Sequence, residues 1–158
     1  MKKFSKIIVA ILLVSILAVS LFACINPGGE VDKSGYMTLV VLDGDNTKEY
    51  SVDLSTLGSG DDKKTGLMTV LDYLKNKGEL TYTSQSSSYG DYLTQVNGIK
   101  EGTGVYVALY TDVKSDISMG EWATTITYKD KTCTSSDFGA SSMSVVAGCT
   151  IIITKGTY

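Results

Sequence analysis

Histidine and arginine are both missing from this chain of 158 residues, and proline occurs once, as Pro27. Without an imidazole, the usual general base near neutral pH and the usual nitrogen ligand of zinc are both excluded. No serine sits in a GxSxG elbow and none stands three residues before a lysine, so two common serine nucleophile arrangements are absent as well. Carboxylate pairs such as Asp61-Asp62 fall in a polar loop, where solvated charge explains them. Asp112 and Asp116 are too few to hold a cation. The chain is not expected to be an enzyme or to carry a metal. The missing arginine also removes the bidentate phosphate fork, and acids outnumber bases by 17 to 14. A nucleic-acid partner is excluded on those grounds, because positive charge supplies most of that affinity.

What is present begins at the N-terminus. Met1 to Lys6 carries three lysines and no acid, and Ile7 to Phe22 is apolar except for Ser15 and Ser20. Leu21-Phe22-Ala23-Cys24 then places a small residue ahead of a cysteine. A charged start, an apolar core of about 7–15 residues and a small-residue cut define a secretory signal. The cysteine thiol is the nucleophile that diacylglycerol modification needs, and the stretch resembles a bacterial lipobox, with Phe22 bulkier than usual. Residues 1–23 are therefore read as a lipoprotein signal peptide, 24–34 as a lipidated tether and 35–158 as the domain. The alternative is an uncleaved anchor, since about 18 apolar residues suffice to span. Either way the domain is expected outside the cytoplasm, held at the cell membrane. Removing Lys2, Lys3 and Lys6 leaves eleven lysines against seventeen acids. So acidic a domain does not lie on anionic lipid by charge, and two acyl chains on Cys24 must anchor it.

Cys133 and Cys149 remain after lipidation. An oxidising compartment allows them a disulfide, worth about 3 kcal/mol for a loop of this length; two free buried thiols are the alternative.

The rest of the chain reads as α+β. GYMTLVVLDGDNTKEYSVDL predicts a hairpin turning at Asp43-Gly44-Asp45-Asn46. A calcium loop starting at Asp43 lacks its glycine, Lys48 standing there. Thr65 is expected to cap a helix with Leu67, Val70, Leu71 and Leu74 on one face, stopped by Gly78. From Glu79 on, strands are expected at Leu80–Thr83, Tyr92–Val96, Val105–Tyr110, Trp122–Tyr128 and Cys149–Thr154. Turns are expected at Asn97-Gly98 and Asp130-Lys131, and Ser84–Ser88 reads as a loop. The aromatic content is ten tyrosines against three phenylalanines and one tryptophan. Tyr82, Tyr106 and Tyr128, inside strands, read as core or cross-strand partners. Tyr89, Tyr92, Tyr110 and Trp122, near strand ends, are the candidate ligand-binding residues.

The segments TVLDYLK, YGDYLTQVNGI, VALYTD, EWATTITYKDKT and FGASSMSVVAGCTIIIT, in that order, resemble the transcobalamin-like C-terminal domain family. The resemblance spans roughly Gly35 to Tyr158. That family includes surface lipoproteins of Gram-positive bacteria of unknown function and the β-domain of animal cobalamin carriers. It implies a β-grasp-like mixed or antiparallel sheet with one covering helix, and binding rather than catalysis. Tyr89–Gly98 match a loop and strand of the pattern, and Glu121-Trp122 match a glutamate–aromatic pair. Val107 stands where a tryptophan is frequent, Cys149 where an acid or amide is, and Cys133 where an aromatic is. The implied function is capture of a small molecule, such as cobalamin or a similar cofactor, for a transporter or a second binding domain. No imidazole could ligate its cobalt. An adhesion or wall-associated module binding protein or glycan is the alternative.

Overall fold

A computed structural model describes residues 35–57, 66–88 and 90–158. The expected signal peptide over 1–23, the tether over 24–34 with Cys24, the capping Thr65 and the candidate Tyr89 lie outside the described residues.

The expected hairpin forms between β1 (Tyr36–Leu42) and β2 (Lys48–Asp53). Its turn works as the sequence implies: Gly44 takes φ +54°, and the Asn46 N–H donates to the Asp43 carbonyl at 2.9 Å. Helix α1 (Leu67–Asn76) follows, starting from Gly66 in extended conformation. At its end Gly78 adopts φ +72°, which lets its N–H reach the Lys75 carbonyl (2.9 Å) and the Glu79 N–H reach Leu74 (3.0 Å). A side chain at that φ would be strained, and glycine is not. Then come β3 (Tyr82–Ser87), β4 (Gly90–Val96), β5 (Ile99–Lys100), β6 (Val105–Thr111), β7 (Thr125–Tyr128), β8 (Lys131–Ser135) and β9 (Thr150–Thr157).

The result is an α+β fold with a mixed sheet. Six strands run in the order β2-β1-β9-β6-β8-β7, and a separate small sheet runs β3-β4-β5. β1 and β9 pair in parallel, and the other pairs are antiparallel. The two parallel strands are central, so both their faces are covered and both read as near-continuous apolar runs.

Two apolar clusters sit on opposite faces of the large sheet. On one face Met37, Leu39, Val41, Ile151 and Ile153 meet Leu67, Val70, Leu71 and Leu74 of α1. The helix residues recur at i, i+3, i+4 and i+7, the spacing that keeps them on one stripe. Tyr82, Leu93, Val96 and Ile99 of the small sheet complete this core. On the other face Val40, Ala108, Tyr110, Cys133 and Ile152 form a smaller cluster with Ile126 and Tyr128. The β7–β8 hairpin supplies that cover. β8 pairs with β6 only at Tyr110↔Ser135 and Thr111↔Thr134, and the hairpin then folds back over β9, with the Cys133 Sγ–H 3.5 Å from the Thr150 carbonyl.

Several expectations need correction. Ser84–Ser88 is mostly strand: β4 offers Ser84–Ser87 a partner edge, and these residues stay exposed on both faces, with Ser87 Oγ donating to the Gly90 carbonyl at 2.7 Å. The Trp122 strand starts only at Thr125, where pairing with Thr134 begins; before it the Ala123 N–H closes a turn onto Gly120. The tight turn is Lys129-Asp130, because Tyr128 pairs with Lys131. Finally, Cys133 and Cys149 are both free thiols. The expected disulfide is not formed, since Cys133 belongs to the hairpin-side cluster and Cys149 to the helix-side core, with the sheet between. Burial deprives the thiolate of water and pushes their pKa up, to about 12 for Cys133 and about 11 for Cys149.

Candidate functional site

β6 carries alternate residues Tyr106, Ala108 and Tyr110 on the face away from the helix, as the two-residue period of a strand requires. Its long pairing with β9 covers one edge completely, whereas β8 joins the other edge only at its end. Along the remaining edge runs a groove of about 230 Å³. Its walls include Tyr106 and Tyr110 from β6, Tyr92 from β4, and Phe138 with Gly139 from the segment after β8.

Each aromatic is positioned differently. The Tyr92 O–H donates to Gln85 Oε1 at 2.8 Å across the β3–β4 pair, which fixes the ring direction while 37 % of the residue stays exposed. The Tyr106 ring rests where a side chain at residue 156 would be: a Cβ there would come within 2.3 Å of its Cζ, so Gly156 is what makes room. The same ring pairs with Tyr158 at 5.0 Å between centroids, tilted by 32°. Tyr110 is buried, and its hydroxyl lies 3.0 Å from Thr124 Oγ1. Phe138 is half exposed and offers the groove apolar area alone. The arrangement gives flat apolar surfaces, some with a polar tip, in an open groove. It suits reversible binding of a ring-shaped ligand.

Of the residues expected to bind, Tyr92 and Tyr110 come together in this groove, and Tyr89 lies outside the described residues. Trp122 does not line it; this side chain is 84 % exposed on the turn before β7. Tyr106, read as a core or cross-strand partner, does lie across Gly156 and against Tyr158, and it also lines the groove, as does Phe138, for which the sequence suggests no role. The available signal was Gly156, a glycine inside an otherwise continuous closing strand, which marks a close approach. Tyr82 is core as expected: burial first, and then its hydrogen bond to the Asp72 carboxylate, raise its pKa to about 12. Tyr128 also packs as expected, on the hairpin-side cluster.

The two acids of the TDVKSD loop are structural. Asp112 Oδ1 accepts from the Thr150 N–H at 2.8 Å, and buried Asp116 accepts from the Ser144 N–H and from Ser115 Oγ. Their lone pairs are used in fastening the 112–118 loop to the start of β9 and to Ser144. Among the described residues no group of three or more Cys, Asp or Glu is placed to hold a metal.

No family model and no curated protein matches this chain. Among solved structures, the fold is similar to the 1.30 Å crystal structure of a candidate metal-binding protein from Ruminococcus gnavus ATCC 29149. The two share 14 % identity at a TM-score of 0.49, over 78 % of this chain and 97 % of that one. A likeness that distant says nothing of function.

Proposed function

We propose that this protein is a lipid-anchored, extracytoplasmic binding protein that captures a small ring-shaped molecule in the groove beside β6. One observation carries the reading: Tyr92, Tyr106, Tyr110 and Phe138 converge on a single groove although they come from three separate segments. The signal-like N-terminus ending at Cys24 supports the location. The parallel pairing of β1 with β9, between an N-terminal hairpin and the strands after α1, supports a β-grasp-like description and kinship with the transcobalamin-like domains. Cobalamin or a similar flat cofactor is then the ligand to try first. The open groove covers one side only, so a transporter or a second binding domain would supply the other wall.

The trial is a titration of the soluble mature chain with cobalamin, haem and simple glycans, followed by calorimetry. A ligand of this groove should bind about thirtyfold more weakly to Tyr106→Ala, as loss of a hot-spot aromatic does. No binding by any of the three, or equal binding by the variant, would refute the assignment. The anchor is checked separately: Cys24→Ser should abolish palmitate labelling and release the protein from the membrane.

A further inference from the structure

Under the tip of the β7–β8 hairpin lies another cavity, of about 320 Å³, that shares no lining residue with the aromatic groove. We propose that it is a binding site for a neutral, polyhydroxylated small molecule, a monosaccharide or the terminal residue of a glycan. The inference stands on this cavity alone and does not depend on the proposed role of the groove.

Strand register builds the floor. Thr38 is opposite Ser51 on β2 and opposite Thr150 on β9, so three hydroxyl residues line up side by side across three neighbouring strands. One step along the sheet, Val40 pairs with Ile152 and lies under the hairpin's Ile126 and Cys133, packed as a core should be. At the hydroxyl row that packing stops and the cavity opens. A packing fault would be walled by apolar groups and stay dry. Here the walls mix apolar surface with hydroxyls and charged groups, and none of the three hydroxyls has a hydrogen-bond partner among the described residues. A hydroxyl both donates and accepts, which matches the hydroxyls of a sugar.

The remaining walls narrow the class. Tyr36 and Tyr128 contribute ring surface, the usual complement to the C–H face of a sugar ring. The rim holds two acids, Glu49 and Asp130, and two bases, Lys129 and Lys131. The charges cancel, so the site favours neither an anion nor a cation. The tip is held over the floor by an ion pair, Lys129 Nζ to Glu49 Oε2 at 2.5 Å. Lys129 takes φ +54° to make the turn, a left-handed conformation that a lysine adopts at a cost. The cavity volume falls in the range of small-molecule sites, at its lower end, as a single sugar ring requires.

The test uses ligand-observed saturation-transfer NMR on the soluble mature chain. Glucose, galactose and N-acetylglucosamine are the neutral probes, with glucose 6-phosphate and glucosamine as charged counterparts and a disaccharide to separate free sugar from glycan end. At least one neutral sugar should bind, more tightly than its charged analogue. Thr38→Val keeps the β-branched shape and removes one hydroxyl, and should weaken that sugar about tenfold. Ser51→Ala, at an exposed position, gives the same reading should the first variant fail to fold. Absence of binding by every neutral sugar, preference for a charged analogue, or unchanged affinity in the variants would each overturn the proposal.

Discussion

The two faces of the central sheet are covered in opposite ways. On the helix side, α1 and the small sheet bring Leu67, Val70, Leu71, Leu74, Val96 and Ile99 against Leu39, Ile151 and Ile153, and the space is filled. On the hairpin side only a short cluster around Val40 and Ile152 is filled, and beyond it the cover stands off a row of hydroxyls. A helix presents a broad stripe of long side chains, whereas a two-stranded hairpin alternates inward and outward residues, so only every second one faces the sheet. The filled face carries stability. The loosely covered face and its neighbouring edge at β6 leave the concave surfaces that a ligand could use.

The largest effect that would sharpen this contrast is loss of packing on the helix side. Leu71→Ala should destabilise the protein by about 2–5 kcal/mol, the cost of a buried leucine cavity, read as a shift in the urea midpoint. Thr38→Val, on the hairpin side, should move that midpoint far less, since its hydroxyl faces a cavity. Equal losses at the two sites would break the comparison.

An intermediate effect is expected in alkali, from groups on both faces. Burial raises Cys133 from 9.0 to about 12, Cys149 from 9.0 to about 11, and Tyr82 from 10.0 to about 12. The folded groups hold their protons to higher pH than the unfolded ones. Their contribution is therefore complete below about pH 9 and is lost as pH rises from 9 toward 12. Melting temperature should be flat from pH 7 to about 9 and fall beyond it. In the same scan neither thiol should react with iodoacetamide at pH 8 until the protein unfolds. Rapid alkylation of Cys133 alone would mean that the hairpin opens independently of the helix-side core.

The smallest effect belongs to the exposed turn before β7. Trp122→Ala should change stability by less than about 0.5 kcal/mol, measured by thermal unfolding. A larger loss would place that turn in the packed part of the hairpin side.

Much of this was legible from residue order. The DGDN turn, the i, i+3, i+4, i+7 leucine and valine stripe with Gly78 behind it, and the apolar closing strand all act through near neighbours in the chain. Strand Ser84–Ser87 was not legible, because serines pair there only when β4 supplies an edge. Nor was the failure of Cys133 to meet Cys149, which depends on which face each residue occupies after folding.

By itself, then, the sequence determined an acidic α+β domain without histidine or arginine, with one α-helix among the described residues, and the local turns that bound its elements. Those follow from composition, period and backbone freedom, all properties of short stretches. Only the tertiary structure decided that β1 pairs in parallel with β9, that the Tyr106 ring lies over Gly156, and that Ser51, Thr38 and Thr150 stand in one row. Each of these is a register between residues up to 112 positions apart, such as Thr38 and Thr150, set by how the whole core closes and not by any segment's own preference.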